Sequence, residues 1–247
     1  MKVQIYTLQS VDEAKKVASL GVDLVGVTPA NIGLPGEITL EMGKDICASL
    51  TGTTTVAISV SNNISEIIDM ALFVKPDILH LCGNPGSISV NDIEKIKEKL
   101  LDTGIEIMFA ISVDSEKAIQ NAINFSDVSD YLILDTSTTD VEGIGASGKI
   151  HDWNISRSIV QNVKTPVILA GGLSIENVQE AIAKVQPWGV DSLTHTNKLM
   201  DDGSFVKDFK KVEEFVKKSK ESGSSTLILL ELSSSFLSPN STSNIFE

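Results

Sequence analysis

Residues Leu132 to Ile182 read LILDTSTTDVEGIGASGKIHDWNISRSIVQNVKTPVILAGGLSIENVQEAI. An apolar run ends on an acid, Asp135, and leads through a glycine-rich loop into a helical pattern. A second apolar run ends on Gly171-Gly172, with another helix beginning near Ile175. Buried strands that end in an acid or in glycine, each feeding a helix, describe the ligand-facing rim of a parallel α/β fold.

Working outward, the same alternation fills the chain. Apolar runs rich in β-branched residues occupy 3–6, 24–27, 55–60, 78–82, 106–113, 131–136, 167–170 and 190–193. Between them apolar residues recur at helical spacing: Val11, Ala14, Ala18 and Val22 after a capping Ser10, then Ile64, Ile67, Ile68 and Ala71. Ile93, Ile96 and Leu100 repeat the pattern, as do Val178, Ala181, Ile182 and Val185. A last helix is predicted over about 206–219, with Val206, Phe209, Val212, Phe215 and Val216 facing the barrel. Gly21, Gly104 and Gly223 stand where helix C-caps belong. Eight βα units favour a closed (β/α)8 TIM barrel over an open doubly wound sheet.

The expected organisation is one barrel domain over residues 1–223 and a serine-rich C-terminal tail over 224–247. The tail reads as a poorly ordered extension or, because of its apolar run TLILLEL, as an added strand or subunit contact.

The 247 residues are 42% hydrophobic and 21% charged, the balance of a water-soluble globular domain. Two cysteines, Cys47 and Cys82, fit a reducing compartment rather than a disulfide framework. No secretory signal and no bilayer-spanning run is read, so a cytoplasmic location is expected. The formal charge of −13 disfavours nucleic-acid and anionic-membrane partners. With Arg157 the only arginine, a phosphate would be held by backbone N–H groups rather than by an arginine cluster.

Working residues of such barrels lie at the C-terminal strand ends, here Tyr6, Thr28, Ser59, Cys82, Ser112, Asp135, Gly171 and Thr194. No metal-ligand spacing and no Ser-His-Asp arrangement occurs among them, so no metal is expected. Asp135, a carboxyl ending a buried strand, is suited either to acid catalysis or to anchoring a loop. Asp152 is an N-cap candidate for the sixth helix, and Ser174 for the seventh.

The order and spacing of these motifs resemble the phosphoribosylanthranilate isomerase family, best after residue 130 and over roughly 2–218. The resemblance implies a cofactor-free Amadori rearrangement in tryptophan biosynthesis. An acid opens a phosphoribosyl amine to an imine, a base removes the C2 proton, and the enolamine collapses to a ketone. Asp135 matches the family's general acid. The segment from Gly145 through Ser147 and Gly148 to Asp152-Trp153 is similar to its ligand-closing loop, with His151 where phenylalanine is usual. Gly171 and Gly172 match its phosphate-binding glycine pair, while Thr194 and His195 replace part of a Ser-Ser-Gly motif, with Lys198 the nearest lysine.

The first half departs from the family. Val3-Gln4-Ile5-Tyr6-Thr7 stands for Val-Lys-Ile-Cys-Gly, so Tyr6 takes the place of the family's general base. The loop 29–36 lacks the family's carboxylate-binding arginine. Gln-Leu-His-Gly becomes His80-Leu81-Cys82-Gly83, which makes His80 a candidate substrate contact and Cys82 an alternative base or a small buried filler. Three readings follow: an isomerase of this family, a phosphosugar isomerase, epimerase or lyase on another substrate, or a non-catalytic barrel binding a phosphorylated metabolite. A small phosphorylated molecule is the expected partner, and a second copy of the chain a candidate one.

Overall fold

The computed structural model describes residues 1–136 and 150–235, with side chains described up to residue 222. The strands are β1 (Lys2–Ile5), β2 (Leu24–Val27), β3 (Thr54–Ser59), β4 (Ile78–Leu81), β5 (Glu106–Ser112), β6 (Tyr131–Asp135), β7 (Val167–Leu169) and β8 (Gly189–Ser192). All are parallel and close in sequence order, β8 pairing back to β1 through Gln4 opposite Asp191. The helices are α1 (Val11–Ser19), α2 (Leu40–Ser49), α3 (Ile64–Val74), α4 (Val90–Leu100), α5 (Lys117–Ser126), α6 (Trp153–Asn162), α7 (Val178–Val185) and α8 (Phe209–Ser235). The expected (β/α)8 barrel is therefore present.

Local chemistry sets the ends of these elements. Ser10 caps α1 by accepting from the Glu13 N–H, and Asp152 caps α6 by accepting from the Asn154 N–H at 2.8 Å, both as read from the sequence. Ser174 caps the turn before α7, accepting from the Glu176 N–H at 3.2 Å, and the helix itself opens later, at Val178.

A recurring device ties the lower rim together. Asp23, Asp77 and Asp130 directly precede the even strands β2, β4 and β6. Each accepts an N–H at or next to the start of the preceding strand: Val3 at 2.9 Å, Thr55 at 2.7 Å and Ile107 at 2.8 Å. Hydrogen bonds to a charged group are worth about 1.5–3 kcal/mol each, and here they lock neighbouring strands in register.

Two apolar clusters divide the interior. The larger lies between the strands and the helices, and includes Val25, Ile46, Ile67, Leu79, Ile96, Leu134, Ile182 and Phe215. The smaller fills the barrel with Leu24, Val56, Ile78, Met108, Ile133 and Ile168, topped by Tyr6 and Cys82. The floor of the mouth is thus a packed layer and not a pore.

Gly26 on β2 explains how Tyr6 fits. A Cβ there would stand 2.2 Å from the Tyr6 ring. Gly26→Ala is expected to cost roughly 2–3 kcal/mol by overpacking, and to cost almost nothing when Tyr6 is also made Ala. Urea denaturation of the two single variants and the double variant checks this. Equal cost in both backgrounds would rule out the ring contact as the cause.

The segment between β8 and α8 differs from the expected last helix. It forms an antiparallel hairpin, β9 (Asn197–Leu199) and β10 (Phe205–Lys207), before α8 opens at Phe209. Val206 lies on β10 and is exposed, and Phe209 is also largely exposed. The barrel-facing stripe is therefore Val212, Phe215 and Val216, all buried. α8 also continues through Gly223, which the sequence suggested as its end. Glycine is tolerated inside a helix at a cost near ~1 kcal/mol, so it does not by itself stop one. Among the described residues no helix is long and apolar enough to cross a membrane.

Candidate active site

At the C-terminal ends of the strands lies a cavity of about 600 Å³. Its walls include Tyr6, Thr28, His80, Cys82, Asp135, Asp191, Thr194 and His195. A smaller recess adjoins it, lined by Gly171, Gly172, Ser192 and, shared with the main cavity, Asp135, Asp191, Thr194 and His195. The acid and the paired glycines therefore share the walls of one small recess, of about 20 Å³, that borders the main cavity. Ser59 and Ser112, at the ends of β3 and β5, line separate recesses. Gly145, Ser147 and Gly148 lie outside the described residues.

Asp135 ends β6 and accepts the Thr136 N–H at 2.7 Å. Burial, only partly offset by that hydrogen bond, pushes its carboxyl up to about 7. A carboxyl held there carries a transferable proton at neutral pH.

Asp191 was not singled out in the sequence, where Gly-Val-Asp-Ser reads as one more buried strand. It lies on β8, buried, with one oxygen accepting from Gln4 Nε2 at 3.1 Å. Burial and the nearby charge of Asp135 push it up to about 8, against the pull of Gln4 and Lys207. A useful signal was available: among the eight buried runs, Asp191 is an acid at an interior strand position, between Val190 and Ser192. Such an acid is uncommon without a partner or a task.

Tyr6 does not suit the role of base. Its hydroxyl meets His80 Nδ1 at 2.5 Å. Burial and the charges of Asp191, Cys82 and Asp135 hold the phenol well above its ordinary range, so it stays protonated. Burial also lowers His80 to about 3, which keeps the imidazole neutral. With Nδ1 facing the phenol, His80 Nε2 is buried without a hydrogen-bond partner among the described residues. The residue after Tyr6, Thr7, has φ 65°, a conformation that glycine adopts readily. The loop after β1 thus keeps a glycine-type path although glycine is gone.

The glycine pair has two duties. Both residues have positive φ, 82° at Gly171 and 64° at Gly172. A Cβ at Gly171 would stand 2.9 Å from His151 Nδ1, so packing alone demands glycine there. His151, buried, is fixed by Ser156 Oγ at 2.7 Å and Thr136 Oγ1 at 3.3 Å. It supports the wall behind the recess and does not line the recess itself.

The outer part of the mouth mixes apolar and basic side chains. Leu34, Pro35, Leu199 and Phe205 line the cavity together with Lys198, Lys211 and His195. Leu34 and Pro35 belong to the loop that lacks the arginine. That loop is closed by Glu37, which accepts N–H groups of Ile32, Gly33 and Leu34 at 3.0 Å each.

Comparison with known proteins gives this geometry a lineage. Residues 4–218 match the family model described as N-(5′-phosphoribosyl)anthranilate (PRA) isomerase. The chain belongs to the PRA isomerase family. A relative from Methanocaldococcus jannaschii, named N-(5′-phosphoribosyl)anthranilate isomerase, is 31% identical over 207 residues, covering 82% of this chain and 88% of its own. One of the same name from Haloferax volcanii is 29% identical over 217 residues, covering 87% and 91%. The crystal structure of phosphoribosyl anthranilate isomerase from Thermotoga maritima superposes with a TM-score of 0.74 at 26% identity, covering 90% of this chain and 99% of that one. The PRA isomerase fold is thus kept here with a tyrosine, a closed arginine-free loop and a β9–β10 hairpin around the mouth.

Proposed function

We propose that this chain isomerises N-(5′-phosphoribosyl)anthranilate by ring opening and proton transfer, the PRA isomerase step of tryptophan biosynthesis, as a cytoplasmic enzyme. The observation that carries the reading is the shared space between Asp135 and the Gly171-Gly172 recess. It lets one small molecule meet an acid and an anion cradle at once. Asp135 is the general acid for the ring oxygen. The phosphate lies in the recess, against backbone left bare by Gly171 and Gly172 and beside Thr194 and His195. His80 offers Nε2 to a sugar hydroxyl, which would satisfy a buried atom that otherwise lacks a partner.

The aromatic ring rests on Leu34, Pro35 and Phe205, and its carboxylate turns toward Lys198 and Lys211. In this arrangement lysines after β8 replace the arginine absent from the loop after β2. The reading needs no cofactor. It takes one small phosphorylated substrate as partner, with self-association into a dimer as a separate question for sedimentation.

The test is growth of a tryptophan auxotroph that lacks the isomerase. The wild-type gene should restore growth and the Asp135→Asn gene should not. Failure of the wild type to restore growth, with the protein expressed and folded, would remove this reading. A companion measurement concerns the cradle. Phosphate and ribose 5-phosphate should raise the melting temperature of the wild type, and Gly172→Leu should abolish that rise and increase KM at least about tenfold. A retained ligand shift in Gly172→Leu would place the phosphate elsewhere.

A further inference from the structure

The chemistry proposed above requires a base, and the place where the family carries its cysteine holds a phenol that stays protonated. The adjacent strand holds the alternative. β8 lies directly beside β1, with Asp191 opposite Gln4, two residues before Tyr6. Asp191 lines both the main cavity and the phosphate recess, as Asp135 does from β6. One of its oxygens is fixed by Gln4 Nε2 at 3.1 Å.

We propose that Asp191 is the general base of this enzyme, so that proton abstraction has moved from the end of β1 to the neighbouring strand. The inference rests on the isomerase reading of the same site. Asp135 gives its proton to the ring oxygen as the C1–O bond breaks and the nitrogen lone pair forms the C1=N bond. The ionised Asp191 takes the C2 proton, the C2–H electron pair forms C1=C2, and the iminium pair returns to nitrogen. In the last step C1 takes the proton from Asp191, and the enol hydroxyl gives its proton to Asp135. The substrate is rearranged and both carboxyls return to their starting states, with no proton or electron gained or lost overall.

The surroundings suit this cycle. The groups facing Asp191 are Gln4 and Tyr6 from β1, Asp135 from β6 and Lys207 from β10. Two buried acids in one cavity resist being ionised together, so one proton is shared between them; Asp191, held at about 8 against about 7 for Asp135, is the stronger base, and the reactive form is the minor one that carries the proton on Asp135. Gln4 is a positioning residue: its Nε2 holds Asp191 while its Oε1 has no partner among the described residues, so an amide flip can serve the protonated carboxyl as well.

The experiment compares wild type, Asp191→Asn, Asp191→Glu, Cys82→Ser and Asp135→Asn on N-(5′-phosphoribosyl)anthranilate, unlabelled and deuterated at C2. Asp191→Asn should lower kcat at least about 100-fold with KM within about threefold. Its deuterium effect should exceed that of the wild type, because C–H cleavage becomes limiting. Asp191→Glu should recover part of the rate, and Cys82→Ser should lose far less of it than Asp191→Asn. Binding of the product analogue with a reduced carbonyl reports whether each variant keeps its site. If Asp191→Asn does not fold, Gln4→Leu replaces it, and should lower kcat about tenfold with an increased deuterium effect. Near wild-type turnover in Asp191→Asn or, in its place, Gln4→Leu overturns the proposal, as does a loss that falls on Cys82→Ser instead. Asp135→Asn inactive beside an active Asp191→Asn would leave the isomerase reading standing and remove only Asp191. An inactive wild type would remove both.

Discussion

Asp135→Asn is expected to lower kcat by roughly 10²–10⁴-fold while KM changes little. The amide has nearly the shape of the protonated carboxyl and can still accept the Thr136 N–H, so the β6 end should keep its geometry. What it cannot do is release a proton as the ring oxygen develops charge. Because Asp135 is held at about 7, the wild type has a large share of the acid form at neutral pH. An ordinary carboxyl near 4 would carry about one proton per thousand molecules there, and most of the benefit would be lost. The same substitution removes one of the two causes that hold Asp191 high, so the remaining acid should move down while burial still keeps it raised. Steady-state kinetics across pH 5–9 tests both parts. The wild type should give a bell-shaped profile centred near neutrality, whose limbs belong to the pair of acids and not to either alone. A kcat within about threefold of wild type in Asp135→Asn would show that ring opening takes its proton from elsewhere.

The barrel was legible because its signal is repeated. Eight short β-branched runs separated by helical stripes leave few topologies, and local caps such as Ser10 and Asp152 lie where the sequence puts them. The joining of Asp135 with Gly171-Gly172 was legible for the same reason, since strand ends of a closed parallel barrel must converge on one rim.

The rest of the site depends on distances across the barrel, which no local pattern encodes. Tyr6 and His80 are 74 residues apart, and nothing near either one announces the 2.5 Å contact that makes the phenol unfit as a base. Asp191 was hidden by the regularity that revealed the strand. Inside a run read as buried, the acid passed as strand filling, although Asp23, Asp77 and Asp130 show where a merely structural acid belongs: just ahead of a strand, accepting a neighbouring strand's N–H. The hairpin β9–β10 was read as the start of a helix because Val206 and Phe209 have helical spacing, yet Asp202-Gly203-Ser204 turns the chain between them and β9. There Ser204 N and Oγ both donate to Asp202, as turn residues do.

The carboxylate proposed to do the chemistry should also weaken the fold. Folding moves the Asp191 carboxyl from its ordinary value near 4 to about 8, with burial the main cause. Between those pH values the folded chain binds a proton that the unfolded chain has released, so stability is lost as pH rises through this window. Asn at 191 has no proton to release and can still accept from Gln4. Asp191→Asn should therefore lead the wild type by only roughly 1 kcal/mol at pH 5 and gain on it as pH rises, by up to roughly 4 kcal/mol more between pH 5 and pH 9. His80 and Lys207, whose buried side chains favour the folded state as pH rises, are present in both proteins; the difference reports Asp191 together with its coupling to Asp135 and Lys207. Urea denaturation at the two pH values gives the number. A difference between variant and wild type that does not change with pH would mean that Asp191 is not held high, and would weaken its case as a base strong enough to take a proton from carbon. A more stable and inactive variant is the expected signature of a site that keeps a costly charge for its reaction.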